Sequence, residues 1–151
     1  MLQLASASDR EAVERLARQV HSLHVGWRPD IYEMPELLYS EERFQQGIKD
    51  RNLYVAKLDG VVIGYTHLKI RNYDWSGVVP RRVMLVDEFC VDEAVRNQGF
   101  GKRMMEDVHT LAKAFRCTDL QLSVYPQNDD AVGFYQKCGF TIRSIEMQRK
   151  V

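Results

Sequence analysis

The chain contains few of the residues from which disulfide frameworks and zinc sites are built. It has three cysteines, Cys90, Cys117 and Cys138, among 151 residues. Their number is odd and none of them forms a C-x-x-C pair, so the sequence predicts neither a disulfide framework nor a zinc site. The four histidines are scattered along the chain, and no metal site is predicted from them either.

An excess of charge of one sign and long apolar runs are also missing. Lys plus Arg and Asp plus Glu number 21 each, which gives a formal net charge of zero. Because binding to a nucleic-acid backbone depends on excess positive charge, no nucleic-acid partner is predicted. No apolar stretch approaches the ~20 residues of a membrane span, and the first residues show no basic segment followed by an apolar signal core. The sequence therefore predicts a cytoplasmic protein with no membrane partner.

The composition that is present suits one globular domain. Hydrophobic residues make up 45% of the chain and charged residues 28%, which is ordinary for such a domain. A chain of this length can bury one sizeable core. No linker, repeat or low-complexity segment interrupts it, so residues 1–151 are predicted to form a single domain.

Hydrophobic periodicity and turn residues predict an α/β fold with a sheet of mixed strand direction, in the order β-α-α-β-β-β-α-β-α-β. Ser8 followed by Glu11 forms a capping box, which predicts a helix from near Asp9. Pro35 suits the first turn of a second helix. The predicted strands are Leu2–Ala5, Asn52–Leu58, Val61–Ile70, Arg82–Val91, Leu120–Val124 and Thr141–Met147. The later helices are predicted to begin at Gly99 and to span Asp130–Lys137.

The most informative segment is 91–102, V-D-E-A-V-R-N-Q-G-F-G-K, which joins an apolar strand to a strongly patterned helix. The first N–H groups of a helix have no internal partner, and the helix dipole places partial positive charge there. Gly99 and Gly101 lack the side chains that would keep a phosphate away from the backbone, while Arg96 and Lys102 add positive charge. This combination predicts a ligand that carries a diphosphate.

Two common nucleotide-binding patterns fail here on spacing. A Walker loop requires Ser or Thr after Gly-Lys, but Arg103 follows Lys102. A dinucleotide fingerprint requires a third glycine where the chain has Met104. The pattern that remains is R-x-x-G-x-G, formed by Arg96, Gly99 and Gly101.

In its surroundings, this pattern resembles the acetyl-coenzyme A (acetyl-CoA) signature of the GNAT superfamily of N-acetyltransferases. A second segment stands in the order typical of that family, N-x-x-A-x-x-F-Y-x-x-x-G-F, from Asn128 through Tyr135 to Phe140. The resemblance covers about residues 50–150 and implies a GNAT-like mixed β-sheet flanked by helices. It also implies acetyl-CoA as the co-substrate, with no metal.

The resemblance implies that the strands predicted over 82–91 and 120–124 separate and hold the pantetheine arm of acetyl-CoA between them. Main-chain contacts with that arm are thereby assigned to Phe89, Cys90 and Val91. The diphosphate is assigned to Arg96, Asn97, Gln98, Gly99, Phe100, Gly101 and Lys102. Asn128 resembles the family residue that bonds the cofactor arm, and a turn or helix-capping role is its alternative.

Tyr135 is implied to be the catalytic acid. A phenol with an ordinary pKa near ~10 is protonated at neutral pH and can protonate a departing thiolate. The alternative is a core tyrosine beside Phe134. Glu88 is the favoured general base, acting through water. Because neighbouring strand residues point to opposite faces, only one of Asp87 and Glu88 is expected to face the substrate.

The first half of the chain is expected to build the acceptor site. The segment His24–Tyr39 mixes aromatic and acidic side chains, which suits a cationic amine held against ring faces, and a lid packed on the core is the alternative. His67 and Tyr125 are further candidates to line the site. Aromatic residues in the loop Asn72–Pro80 suit either the same cleft or a homodimer contact.

The sequence thus predicts an acetyl-CoA-dependent N-acetyltransferase that moves an acetyl group to a primary amine of a small molecule, by direct transfer in a ternary complex. Two alternatives stay open, a protein N-terminal or lysine acetyltransferase and a non-catalytic acyl-CoA sensing module. Because one fold of this kind serves many acceptors, the sequence does not identify the amine.

Overall fold

Five strands and four helices account for most of the chain, and the computed structural model describes residues 1–151. The strands are β1 (Leu2–Leu4), β2 (Leu53–Leu58), β3 (Val61–Tyr73), β4 (Arg81–Val91) and β5 (Asp119–Gln121). The helices are α1 (Arg10–Trp27), α2 (Glu41–Lys49), α3 (Phe100–Ala114) and α4 (Asp129–Lys137). None of the helices combines the length and the apolar character that crossing a membrane requires.

The strands form one sheet in chain order from β1 to β5. Neighbours from β1 to β4 are antiparallel, whereas β5 runs parallel to β4. Asp59 and Gly60 join β2 to β3 with φ angles of 49° and 81°, the left-handed conformation that a tight hairpin turn requires. The parallel pair needs a crossover, and α3 supplies it.

Both faces of the sheet are covered. Along β2, Val55 packs into a core with α1 and α2, while its neighbour Tyr54 packs into a core with α3. This alternation is the expected consequence of strand geometry. The main residues of the first core are Val13, Leu16, Ala17, Tyr39, Phe44, Leu53, Val55 and Tyr65. Those of the second are Tyr54, Leu68, Met84, Val86, Met105, Val108 and Ala112.

The α/β architecture is confirmed, and the element order holds except at its end. The predicted strand Thr141–Met147 does not form, since residues 141–151 lie outside any strand and are exposed throughout. A strand-like sequence can form a strand only where a main-chain edge is available to pair with it. Within this chain no such pairing takes place.

Helix α1 begins at Arg10, close to the predicted start near Asp9, but its cap and the start of α2 differ from the predictions. The capping box is formed by Ser6 and Asp9 rather than by Ser8 and Glu11, and a short 3-10 turn precedes α1. Asp9 also pairs with Lys57 at 2.8 Å, a contact between distant residues that local spacing does not reveal. Helix α2 begins after Ser40, whose hydroxyl accepts from the Arg43 N–H group, so Pro35 lies outside the helix.

Gly64 allows β3 and β4 to approach α3 closely, and this provides a test of the packing. A Cβ at Gly64 would lie 2.6 Å from Met104 Sδ and 2.7 Å from the Cys90 carbonyl oxygen. We expect Gly64→Ala to lower the free energy of unfolding by about 1–3 kcal/mol, because the backbone must shift. Urea unfolding monitored by circular dichroism measures the change.

Gly26→Ala is the matched control for that substitution. Gly26 lies within α1 and a Cβ there meets nothing within 4 Å. Because alanine favours a helix over glycine, this change is expected to raise stability by about 0.5–1 kcal/mol. Equal effects of the two substitutions would contradict the packing described at Gly64.

Candidate active site

The site begins where β4 and β5 stop pairing. Only three residue pairs join them, Val83 with Asp119, Met84 with Leu120 and Leu85 with Gln121. Strand β4 continues to Val91, whereas residues 122–125 form no strand, so β5 ends earlier than predicted. The sheet is therefore open between residues 86–91 and 122–125, and we call this opening the slot.

Main-chain groups of β4 line the slot. The Asp92 N–H group donates to the Ile63 carbonyl at 2.8 Å, on the β3 side. Because hydrogen-bonding direction alternates along an antiparallel strand, the groups of Cys90 also face β3, whereas those of Phe89 and Val91 face the slot. The structure thus brings two of the three predicted residues to the slot. The Cys90 thiol is buried, which raises its pKa to about 12 and suits a structural role.

The turn before α3 presents a row of free N–H groups. The N–H groups of residues 97–102 make no hydrogen bond within the protein. Asn97 and Gly99 adopt positive φ angles of 63° and 86°, which curve the chain around the start of the helix. A Cβ at Gly101 would lie 3.2 Å from the Phe134 ring, so a side chain there would crowd the turn. Such a concave row of N–H groups at a helix N-terminus suits an anion.

The two cations predicted for this turn occupy different places. Arg96 turns back, so that its Nε donates to the Val91 carbonyl at 3.0 Å and its Nη2 lies 3.4 Å from Gln19 Oε1. Lys102 is exposed on the first turn of α3. Arg96 therefore holds the turn against β4, whereas the ammonium group of Lys102 is accessible to a ligand.

A buried carboxylate ties α1 to the same turn. Asp92 is 8% exposed and accepts from Arg15 Nη1 at 2.6 Å, Gln19 Nε2 at 3.2 Å and the Ala94 N–H group at 3.2 Å. Burial alone would raise the Asp92 pKa, but these hydrogen bonds lower it overall and keep the carboxylate charged. Gln19 Oε1 also accepts from the Glu93 N–H group at 3.1 Å. The sequence analysis missed this network, whose partners are far apart along the chain.

Tyr135 lies on α4 among aromatic rings at the slot. Its ring centroid is 5.2 Å from that of Phe134, 5.7 Å from that of Phe140 and 6.3 Å from that of Phe89. Burial raises the pKa of Tyr135 to about 12. The phenol therefore keeps its proton at neutral pH, so a core position is compatible with the role of proton donor.

Asn128 occupies the position that caps α4. Its side-chain oxygen accepts from the Ala131 N–H group at 3.2 Å. This is the helix-capping role that the sequence left open as an alternative. The side-chain NH₂ group makes no hydrogen bond within the protein and stays free for a ligand.

Glu88 lies on the face of the sheet opposite to Tyr135, among donors from β3, from α2 and from the segment before α2. Its Oε2 accepts from the hydroxyls of Tyr39 at 2.7 Å and Tyr65 at 2.8 Å, and its Oε1 contacts Arg43. Burial, together with the nearby carboxylate, raises the pKa of both phenols, so they remain donors. A carboxylate has about four acceptor positions. One position on Oε1 is therefore left for a water molecule or an amine.

A β-bulge changes the faces on which the two acidic residues of β4 lie. His67 pairs with Glu88 and the next residue, Leu68, pairs with Val86, so Asp87 is an extra residue in β4. A bulge interrupts the alternation of side chains along a strand. The side-chain ligand atoms of Asp87, Glu88 and His67 all lie within 4.8 Å of one another. The expectation that Asp87 and Glu88 point to opposite faces of the sheet is therefore wrong.

The charges of these carboxylates are already compensated. Lys69 Nζ lies 2.7 Å from Asp87, and Arg43 pairs with Glu88. His67 Nδ1 is buried and has no hydrogen-bond partner, and burial lowers the His67 pKa. These neutral and paired groups suit proton transfer better than they suit the binding of a metal ion.

Five aromatic side chains pack against one another beside the slot. We call them the aromatic cluster: His21, His24, Trp27, Tyr32 and Tyr125. Neighbouring ring centroids are 5.3 to 6.3 Å apart, and the Tyr32 and Tyr125 hydroxyls are 2.9 Å apart. Burial lowers the His24 pKa, an effect that the Glu88 carboxylate opposes. Arg28 and Asp30, in the same segment, pair with each other at 2.8 Å instead.

A match to a family model identifies the protein family of this chain. The model of the acetyltransferase (GNAT) family matches residues 17–140. The chain belongs to the GNAT family. It is an N-acetyltransferase, as the sequence analysis predicts, and its fold is the family's fold.

Relatives of known activity differ in their acceptors. The chain is 27% identical to the L-amino acid N-acetyltransferase AaaT of Escherichia coli over 147 residues, which cover 91% of this chain and 80% of that protein. It is 34% identical to the spermine/spermidine N(1)-acetyltransferase of Bacillus subtilis over 56 residues, covering 36% of this chain and 37% of that protein.

Solved structures confirm the fold over the whole chain. A tetramutant of the BH1408 protein of Bacillus halodurans superposes with a TM-score of 0.94 at 25% identity, covering 100% of this chain and 99% of that one. Aminoglycoside N-acetyltransferase AAC(6')-Iy, in complex with CoA, superposes with a TM-score of 0.70 at 17% identity, covering 100% of each chain. The second similarity shows the fold alone.

The left-handed backbone at Gly99 provides a test of the turn as a diphosphate site. We expect Gly99→Val to weaken the binding of acetyl-CoA by ~100-fold or more, because a side chain both strains the turn and displaces its N–H groups. Isothermal titration calorimetry measures the dissociation constant.

Gly77→Val is the matched control for Gly99→Val. Gly77 has the same φ of 86°, and a Cβ at either glycine meets nothing within 4 Å, but Gly77 lies in the loop after β3. The two variants should lose similar stability, while only Gly99→Val should lose binding. Equal binding losses in the two would show that backbone strain, and not the turn, is responsible.

Proposed function

We propose that this N-acetyltransferase moves the acetyl group of acetyl-CoA directly to a primary amine of a small cationic molecule, within a ternary complex. The slot between β4 and β5 is the observation that carries the proposal. Glu88 contacts the side of the sheet covered by α1 and α2, whereas Tyr135 packs with α3 and α4. Through the slot, groups on both faces of the sheet can reach the thioester bond that reacts.

The residues present fit acetyl-CoA. The free N–H groups of residues 97–102 would hold its diphosphate, and the main-chain groups of Phe89 and Val91 would hold its pantetheine arm. When bound, acetyl-CoA supplies a thioester, whose acyl carbon accepts an amine and whose sulfur leaves. The CoA complex of the AAC(6')-Iy structure supports a CoA site in this fold.

Glu88 and Tyr135 divide the proton transfers between them. Because Glu88 already accepts from three donors, it acts as a base by binding a water molecule through its last acceptor position, and this water takes a proton from the amine. The water passes this proton to the Glu88 carboxylate, which later releases it to solvent. As the carbon–nitrogen bond forms and the carbon–sulfur bond breaks, the nitrogen loses its second proton to solvent and the Tyr135 hydroxyl gives its proton to the sulfur. Solvent then restores the phenol proton.

The aromatic cluster supports a cationic acceptor. Ring faces attract ammonium groups, and Tyr32 and Tyr125 add hydroxyls that can accept from them. The cluster joins α1 to the segment after β5, so it borders the slot from the acceptor side. The relatives named for amino acids and for spermine and spermidine are consistent with small amines of this class.

Release of thiol from acetyl-CoA tests the proposal and the role of Tyr135 together. The acceptors are spermidine, basic and neutral amino acids, an aminoglycoside and a lysine-containing peptide. We expect cationic small amines to give the fastest release, and Tyr135→Phe to lower kcat by about 10²–10⁴-fold, because a general acid is lost. Tyr54→Phe is the matched control, because it removes a phenol hydroxyl from the core between β2 and α3, and it should leave kcat unchanged.

Each failure of that experiment has a separate meaning. Full activity in Tyr135→Phe would remove the tyrosine from the mechanism. If the peptide were the best acceptor, the function would be protein acetylation. If calorimetry detects binding of acetyl-CoA but no amine promotes thiol release, the proposed reaction is excluded for these acceptors and a sensing module is favoured.

The raised pKa of Tyr135 predicts a specific pH dependence. The acid must be protonated to act, so its contribution is complete below the folded-state pKa of about 12 and is lost only as the pH rises through that value. We therefore expect no fall in kcat around pH ~10, where an ordinary phenol would lose half its protons. The measurement is kcat at saturating acceptor across the alkaline range, with circular dichroism to confirm folding. A limb centred near pH ~10 in the wild type would contradict the assignment.

A further inference from the structure

Glu88 and Arg43 present opposite charges side by side in the site. Arg43 Nη2 donates to Glu88 Oε1. The side chains of Arg43 and Glu88 are 41% and 26% exposed, so a ligand can reach both of them. The pair as a whole is neutral. A ligand that carries a positive and a negative group close together matches this pair better than a bare cation does, because a bare cation would meet the guanidinium of Arg43.

The guanidinium of Arg43 is held in one orientation by contacts within the protein. Its Nη1 donates to the Leu38 carbonyl at 2.6 Å, and its central carbon lies 4.0 Å from the centroid of the Tyr39 ring. A guanidinium has five N–H donors, and the contacts with Leu38 and Glu88 occupy two of them. The remaining donors are available to a carboxylate, the group whose two oxygens fit the planar guanidinium best.

A polar cavity gives a ligand access to Arg43. The cavity lies between α2 and β3, has a volume of about 380 Å³, and has no hydrophobic residue in its lining. Its lining includes two cationic side chains, Arg43 and Lys69, and two carboxylates, Glu42 and Asp50. The cavity therefore suits a ligand with charged groups of both signs, and it offers no contact for an apolar one.

Two acceptor atoms in the lining of this cavity lack a hydrogen-bond partner. They are His67 Nδ1 and Asn52 Oδ1, and both are buried. A ring nitrogen of His67 lies within 4.8 Å of a carboxylate oxygen of Glu88. Because buried polar atoms are normally hydrogen-bonded, the free acceptor of His67 indicates a place for a hydrogen-bond donor next to Glu88. The amine of an acceptor can occupy that place.

We propose that the acceptor is a basic α-amino acid, whose α-amine lies beside Glu88 and His67 and whose α-carboxylate binds Arg43. This inference rests on the proposed function and narrows the small cationic amine to one that carries a carboxylate. One carbon atom separates the two groups of an α-amino acid, so they can reach Glu88 and Arg43, which are in contact, at the same time. The cationic side chain of the amino acid would contact the aromatic cluster.

The same charges disfavour the other amines considered for this site. A polyamine or an aminoglycoside has no carboxylate, so its ammonium group would lie against the guanidinium of Arg43 without a compensating negative charge. The terminal amine of a peptide is also unsuitable, because the neighbouring carboxyl group is part of an amide bond. The Arg43 guanidinium thus contributes to specificity by disfavouring these acceptors as well as by binding the preferred one.

L-Arginine and agmatine form a matched pair of acceptors for testing this inference. Each has one primary amine, and agmatine differs from L-arginine only in lacking the carboxylate. We expect kcat/KM for thiol release with L-arginine to exceed that with agmatine by about 10–100-fold, mainly through KM, because hydrogen bonds between charged groups are lost with the carboxylate. L-Argininamide, which has a neutral amide in place of the carboxylate, should resemble agmatine.

Arg43→Gln should lower this preference for L-arginine to about one. The substitution also removes a partner of Glu88 and so changes kcat for every acceptor, but only the loss of a contact with the carboxylate changes the ratio of the two kcat/KM values. Arg43→Lys keeps the charge without the planar donors and should keep part of the preference. Arg10→Gln is the matched control, because Arg10 forms another ion pair with α2, 3.0 Å from Glu41, and it should leave the ratio unchanged.

Calorimetry distinguishes a failure of this inference from a failure of the proposed reaction. L-Arginine and agmatine are titrated into the enzyme loaded with CoA, which has no acetyl group to transfer. Tighter binding of L-arginine that Arg43→Gln abolishes would support the contact with Arg43, even if the absence of thiol release excluded the reaction. Equal binding of the two compounds, binding of neither, or a preference that survives in Arg43→Gln would overturn the inference, while release of thiol with other amines would leave the proposed reaction intact.

Discussion

The early end of pairing between β4 and β5 is the constraint on which the rest of the site depends. If the two strands stayed paired to their ends, β5 would occupy the main-chain groups of Phe89 and Val91. A closed sheet would also separate Glu88 from Tyr135, which contact opposite faces. Because pairing stops at Leu85 and Gln121, the sheet has an open edge, where we propose that the arm of acetyl-CoA binds, and an opening between its two faces.

Local features of the site could be predicted from the sequence, and contacts between distant residues could not. The turn at Gly99 follows from glycine spacing, since positive φ there is a property of a few neighbouring residues. The donors around Glu88 were missed because Tyr39 and Arg43 lie 49 and 45 residues upstream. The bulge at Asp87 carries no glycine or proline to mark it, so alternation misassigned its face. The last strand was misassigned because its pattern says nothing about an available edge.

Helix α1 contacts both the turn before α3 and the aromatic cluster. Its residues Arg15 and Gln19 hold the turn before α3 through Asp92, and two turns later the same helix carries His24 and Trp27. The turn and the aromatic cluster are therefore positioned by one helix. The network around Asp92 is thus a structural link between the place where the cofactor is proposed to bind and the wall proposed for the acceptor.

The free N–H groups of residues 97–102 have a consequence for how this protein can change over evolution. Every residue type except proline carries that group, so most substitutions in the turn keep the contacts, provided that Gly99 and Gly101 persist. The aromatic cluster, in contrast, consists of side chains, and each replacement there alters the surface. On the proposed assignment, a lineage can explore new amines by mutating the aromatic cluster, while the proposed hold of the turn on acetyl-CoA is inherited unchanged.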